Sequence, residues 1–448
     1  MTRTLARFAA ELQYADLPAA AIEKAREITL HGWGVQLAGS TLPWSGSIYR
    51  YVQGQGGRPE STVLNYGLRT SAGHAAFANG TFGHGFEMDD NHAETGLKGG
   101  CVMIPTVLAM GERQRSTGRE CLLATVIGFE IATRIARSVV SLGNRKSHHP
   151  TGIAGPFGAA AAAGKLLQFG EEAMLHALSI AAGHSAGLNE APATGRGSLK
   201  RIFGGMAAAN GIRSALLAEE GLTGPETMLE GKKGFCRTFS DEPDLSALTA
   251  GLGSEWQILK VHYKLYAQDG YIQPMTEALD RLVKRHRFSP AEVAKIRAGV
   301  SRHACEVAGQ IREPADLTSA QFSANFSLAL FLVKGGAGFQ EYTAESLTDP
   351  AISDLSRRID IEVDEAIEAE WQRTKPRGAR VTVQLRSGER FAETVPSLRP
   401  LTTAEVEEKF RRLATVAISE KKAEQLLERV GQLEAEQDLS RVVSLLTA

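Results

Sequence analysis

The sequence predicts a mainly α protein, with a large all-helical domain and a smaller α+β domain, from three observations. Up to about residue 250 the apolar residues recur at helical spacing, on helices rich in Ala and Gly. From Trp256 to about residue 399 helical runs mix with strictly alternating ones. From Thr402 onward charged amphipathic helices return.

In chain order, "MTRTLARFAAELQYADLPAAAIEKAREITLHGWGVQLAGS" reads as amphipathic helices with internal charges. There follow "GHAAFANGTFGHGFEMDD", "VMIPTVLAMGERQ", "CLLATVIGFEIATRIARSVV", the Ala run from Ala159, "EEAMLHALSIAAGHSAGL" and "GMAAANGIRSALLAEEGL", with short Gly or polar breaks. So many small residues let helix axes approach closely. β-branched alternation is scarce, so residues 1–255 are expected to be almost entirely helical. Within "KSHHPTGIAGPFGAAAAAGK", Pro150 and Thr151 suit a first helical turn. His148 and His149 then stand at the positive end of that helix, where an anion is welcome and a proton transfer can be tuned. In the second region, "RFSPAEVAKIRAGVSRHACEVAG" offers a helix start at Ser289-Pro290 and a strand from Ile296 to His303. "SAQFSANFSLALFLVKGG" reads as a helix, and "ARVTVQLRSGERFAETVP" as a hairpin about its Ser-Gly turn.

The 448 residues suit two domains, and 43% hydrophobic with 23% charged residues is ordinary for a soluble globular chain. A net charge of −1 gives no electrostatic case for nucleic acid or an acidic membrane. The four cysteines form no CxxC pair, which argues against a disulfide framework or thiolate zinc site and suits a reducing cytoplasm. The N-terminal stretch lacks the apolar run and cleavage site of a signal peptide, and nowhere do eighteen apolar residues run together. A soluble, cytoplasmic protein is expected.

Candidate chemistry gathers in Gly-rich breaks. "GHGFEMDDNH" puts Asp89, Asp90 and His92 within four residues, as a metal site, an acid/base pair or merely a helix end with solvated acids. No second ligand cluster at metal spacing supports the first reading. "GRGSLKRIFGG" carries Lys200 and Arg201 into a helix. "KVHYKLYAQDGYIQP" adds Lys260, His262, Lys264, Tyr266 and Gln273 where the two domains should meet, a favoured place for a small-ligand cleft. Lysines and histidines from several segments suit a substrate with several carboxylates. "GAAAAAGK" fails as a phosphate loop: its spacing is one residue too long, and Leu166 stands where Ser or Thr is needed.

"FANGTFGHGFEMDDNH", "GGCVMIPTVLAMGE", "HHPTGIAGPFGAAAAAGKLL", "GSLKRIFGGMAAANGIRSALLAEEGLTGP" and "AQFSANFSLAL", in this order, resemble the MmgE/PrpD family, which includes 2-methylcitrate dehydratase, cis-aconitate decarboxylase and iminodisuccinate epimerase. The resemblance implies that residues 1–255 and about 400–448 form one all-helical domain and 256–399 an α+β lid. It also implies a homodimer, catalysis without metal or organic cofactor, and proton transfer beside a carboxylate of a small polycarboxylic acid. By position it matches Asp89 and Asp90 to the family's acidic pair and His149, Lys200 and Lys264 to single family residues. With the residues read above, catalysis is expected of Asp89, His149, Lys98, Lys200 and Lys264, and substrate binding of Asp90, His92, Arg201, Lys260, Tyr266 and Gln273. The chain departs from the family pattern at Lys98, Phe203, Gln273 and Phe326, where His, His, His and Tyr are usual. The leading expectation is a cofactor-free lyase, dehydratase or decarboxylase in type, in which His149 transfers the proton with help from Asp89 or Asp90. An epimerase of an iminodicarboxylate-like acid and a non-catalytic carboxylate-binding protein are the alternatives.

Overall fold

The computed structural model describes residues 1–139, 148–190 and 197–448. Val140, Lys146 and Ser147, and the Gly195–Arg196 start of the Gly-rich loop, lie outside the described residues. Nine helices of ten or more residues build the first region among the described residues: α1 (Thr2–Glu11), α2 (Ala19–Ser40), α3 (Ser45–Gln55), α4 (Ala72–His84), α5 (Gly100–Gln114), α6 (Gly118–Val139), α7 (Pro150–Leu166), α8 (Glu171–Ala182) and α9 (Phe203–Glu219). The Ala-rich helix α7 begins at Pro150 as its sequence predicts, and every residue from Pro150 to Gly164 is buried. Helices α5, α6, α8 and α9 surround it. A helix apolar on all sides is stable only when it is enclosed in this way.

The region is less purely helical than expected. Ser61–Val63 (β1) and Leu68–Thr70 (β2) form a small antiparallel hairpin, and Asp90–His92 (β3) is a strand whose partner lies far along the chain. That partner is Val261–Tyr263 (β4). Three-residue strands carry too little alternation to stand out among helical runs.

Beyond β4 come α10 (Gln273–His286), β5 (Val293–Val300), α11 (Ala324–Lys334), β6 (Ile359–Val363), α12 (Glu365–Thr374), β7 (Ala379–Leu385) and β8 (Arg390–Val395). The strands form one sheet in the order β6-β5-β7-β8, parallel between β5 and β6 and antiparallel elsewhere. The hairpin of β7 and β8 matches its prediction. At Ser289-Pro290 the expected helix is a single 3-10 turn, Pro290–Glu292, after which β5 starts at Val293, three residues earlier than the alternation suggested. The "SAQFSANF" helix is two helices, because Ser323 ends one and caps the next by accepting the Phe326 N–H.

The C-terminal helices α13 (Thr403–Ala414) and α14 (Glu420–Gly431) lie against the helical region, α13 packing along α2. Val406, Phe410, Val430 and Leu446 join the hydrophobic core of α1–α9. A second core joins the four-stranded sheet to α10 and α11, and it also takes in Phe86 and Met88 from the α4–β3 loop. That loop therefore lies where the two cores meet. No helix among the described residues is long and apolar enough to cross a membrane.

Candidate active site

The β3–β4 pair assembles the site. Its register sets Asp90 opposite Tyr263, so one step further out Asp89 meets Lys264 across 175 residues of sequence. The Lys264 ammonium lies 3.0 Å from Asp89 Oδ1 and 2.5 Å from Glu87 Oε2. Asp89 Oδ2 accepts from Nδ1 of His84, the last residue of α4, at 2.7 Å. Lys200, in the 3-10 turn leading into α9, ion-pairs with the other Glu87 oxygen. All five side chains are buried. Glu87 has a left-handed backbone, φ 56°, an unfavourable conformation for a side-chain-bearing residue that its two lysine contacts hold in place.

The charges follow from this geometry. Burial alone would raise the Glu87 carboxyl, but Lys200 and Lys264 hold it down at about 2. Burial also works against ionised Asp89, yet Lys264, Lys200 and His84 keep it well below the usual carboxylate range. Lys264 is desolvated, but Asp89 and Glu87 raise its pKa above the ordinary lysine value. Burial and Lys200 lower His84 to about 4, so its imidazole is neutral at pH 7. With Nδ1–H donated to Asp89, its Nε2 presents a lone pair, and this atom has no hydrogen-bond partner among the described residues.

His149 is the residue before α7 and lies edge-on to His84, ring centroids 5.5 Å apart. Burial and the nearby His84 and Lys200 keep it neutral, and its Nδ1 is likewise unpartnered among the described residues. Of the two carboxylates expected to assist His149, Asp89 bonds to His84 and Asp90 to the Gly100 N–H. Among the described residues Lys98 is bonded only to neutral oxygens, Asn91 Oδ1 at 2.6 Å and the Gly96 carbonyl at 2.9 Å. Burial, with Lys264 nearby, lowers its ammonium to about 7.

The remaining expected residues are placed differently. Asp90 Oδ1 accepts the Gly100 N–H at 2.8 Å while burial and Asp89 push its carboxyl up to about 7. A Cβ at Gly100 would come within 2.5 Å of that oxygen, so this close approach requires glycine. His92 touches the Thr95 hydroxyl at 3.2 Å and is lowered to about 3 by burial. Arg201 donates to Thr318 and stacks 3.5 Å over the Trp44 ring. Lys260 pairs at the surface with Glu94 at 2.6 Å. Tyr266 is buried against Phe331. Gln273 spends its amide on the backbone of residues 265, 266 and 268 and so shapes the turn after Lys264.

His84 and Glu87 were not singled out from the sequence, although both stand in "GHGFEMDDNH". Lys409 of α13 carried no signal at all. Its ammonium donates to the Met88 carbonyl at 2.9 Å and the Lys264 carbonyl at 2.6 Å, and lies 2.8 Å from His31 Nε2. One trio, His84, Asp89 and Cys101, brings potential metal-ligand atoms within 4.8 Å of one another. Burial and Asp89 hold the Cys101 thiol protonated, and Asp89 already faces two ammonium groups.

Comparison with known proteins gives the same outline. The sequence matches the MmgE/PrpD N-terminal domain over residues 3–248 and the MmgE/PrpD C-terminal domain over 266–435. It is 29% identical over 432 residues to a cis-aconitate decarboxylase of Aspergillus terreus, covering 90% of this chain and 86% of the relative. It is 27% identical over 441 residues to the cis-aconitate decarboxylase-like protein oryM of Aspergillus oryzae, covering 92% and 89%. Similarity to the Homo sapiens cis-aconitate decarboxylase, 29% over 219 residues, spans 48% of this chain and 45% of that one. With matches in both halves, the chain belongs to the MmgE/PrpD family.

Proposed function

We propose that the protein is a lyase that removes a proton beside a carboxylate of a small di- or tricarboxylic acid, using its own side chains. The observation that carries this reading is the buried Lys264–Asp89–His84 relay, which leaves a neutral imidazole nitrogen unpartnered beside that of His149. Asp89 fixes the His84 tautomer and stabilises the imidazolium that forms when Nε2 takes the proton. The electron pair of the broken C–H bond becomes a C=C bond as the group on the next carbon departs. A departing hydroxide takes a proton from the Lys98 ammonium, which is poised near neutrality. In a decarboxylation no proton is removed: the C–C electron pair stays on the substrate as carbon dioxide leaves, and the same ammonium gives a proton to the carbanion. The ammonium groups of Lys200 and Lys264, although paired with Glu87 and Asp89, add positive field where charge accumulates on the substrate carboxylate, the step in which preorganised electrostatics contributes most. The relatives named cis-aconitate decarboxylase make that acid the first to try.

The epimerase alternative needs two bases on opposite faces of one carbon. His84 and His149 lie edge-to-face with ring centroids 5.5 Å apart, an arrangement that supports chemistry from one side. Proton NMR in D2O with cis-aconitate, citrate, 2-methylcitrate and iminodisuccinate separates the readings. The expected result is a changed set of vinylic signals with one acid. Deuterium entering an unchanged skeleton would make the protein an epimerase, and silence throughout would leave carboxylate binding alone. We further propose a homodimer, which light scattering tests as twice the 48.1 kDa chain mass.

A further inference from the structure

Beside the relay a cleft of about 240 Å³ opens between the β3–β4 pair and the turn joining α12 to β7. Asn91, His262 and Lys264 line one side, Gly270 and Arg377 the other. The charges of most ionisable groups here are already matched or absent. Lys264 is paired with Glu87 and Asp89. Glu94 is held between Lys260 at 2.6 Å and Arg137 at 3.0 Å. His262 is kept neutral by burial, Lys24 and Arg377. The Lys375 ammonium lies 5.5 Å from the centre of the Trp371 ring and 3.4 Å from Gln372 Oε1.

Lys375 and Arg377 are the lining cations without an ion pair among the described residues, and of the two Arg377 alone presents a planar fork. Its guanidinium stacks over the Tyr271 ring, 4.8 Å from the centroid, and no carboxylate among the described residues lies within ion-pair distance. Its charge still reaches the catalytic side, where it helps to lower Lys98. A planar, permanently charged fork, braced on an aromatic ring and without an acid partner, is suited to a carboxylate held through two parallel hydrogen bonds.

We propose that Arg377 anchors an outer carboxylate of the substrate, away from the reacting carbon, and so selects polycarboxylic over monocarboxylic acids. This rests on the reading of the relay as a carboxylate-acting site. Gly270 gives a second handle, because a Cβ there would overlap Arg377 Nη1 and push the guanidinium aside without removing its charge.

The test is calorimetric binding of tricarballylate, a tricarboxylate with no double bond or leaving group, and of butyrate, a monocarboxylate. Wild type, Arg377→Met, Arg377→Lys and Gly270→Ala are compared. Losing a charge-assisted pair is expected to weaken tricarballylate about 10- to 100-fold in Arg377→Met. Arg377→Lys should recover part of that loss and Gly270→Ala should lose several-fold, while butyrate binding stays within about two-fold throughout. Wild-type affinity for tricarballylate that survives Arg377→Met unchanged overturns the anchor but not the relay. Failure of the wild-type protein to bind either acid overturns both.

Discussion

His84 illustrates how one hydrogen bond decides a role. Asp89 can hold only the Nδ1–H tautomer, so basicity is directed to Nε2. Asp89→Asn keeps the shape but offers no fixed acceptor for that proton, and His84→Ala removes the proposed base. Each is expected to lower kcat by about 10²- to 10⁴-fold with KM changed only a few-fold, measured by steady-state kinetics on the acid identified by NMR. Loss of less than ten-fold in both would remove His84 from the mechanism. The neighbouring Asp90 makes a different, thermodynamic prediction. Its carboxyl has a pKa of about 7 when folded against an ordinary 3.8, so between those values the folded protein keeps a proton that the unfolded chain has released. The stability this group contributes is full below about pH 4 and is lost as pH rises through about 7. Asp90→Asn imitates the protonated form and is expected to melt roughly 1–3 °C higher than wild type at pH 8, with the gap closing towards pH 4. A variant that melts lower at pH 8 would mean that Asp90 works ionised. Residue types and Gly-rich breaks pointed to Asp89, Lys200 and Lys264, the start of the Ala-rich helix to His149, and the family resemblance to Lys98. His84 and Glu87 escaped notice because their importance lies in burial and long-range partners, which a local run of letters does not display.

Among the elements, α7 was the most legible, since an unbroken Ala/Gly run has few uses other than close helix packing. The structure shows where the approach is tightest. A Cβ at Gly211 of α9 would overlap Ala159 and come within 2.7 Å of the Pro156 carbonyl oxygen. Backbone cannot yield as a flexible side chain can, so Gly211→Ala is expected to destabilise by about 1–3 kcal/mol. Thermal or urea unfolding measures this, and a variant as stable as wild type would show that α7 and α9 separate at little cost. The hairpin of β7 and β8 was equally legible, with Val381 and Val383 facing inward along a clean alternation. The β3–β4 pair was not. It is only three residues long on each side, and its alignment depends on both cores closing around it. The element that sets Asp89 against Lys264 is therefore among the least visible in the sequence.

For the molecule as a whole, the C-terminal tail ties separate parts of the chain to the site. Lys409 of α13 has three donors and meets three acceptors: the carbonyl that precedes Asp89, the carbonyl of Lys264 itself, and His31 Nε2 on α2. The two peptide groups it bridges belong to the residues whose side chains form the central ion pair. Burial lowers this ammonium to about 7, so keeping it there is unfavourable, although Asp89 partly offsets the cost. Lys409→Met removes the desolvated charge but leaves the carbonyls without their donor, two opposing effects of a few kcal/mol each. Stability should therefore change little, whereas the alignment of Asp89 with Lys264 is lost. The expected outcome is a fall in kcat of about 10- to 100-fold, with melting within a few degrees of wild type. Lys409→Arg should not restore the rate, because a guanidinium is too large for a site built around one nitrogen. If rate and melting temperature instead fell together, and both recovered in a variant restabilised elsewhere, Lys409 would be a packing residue and the tail would not help to align the site.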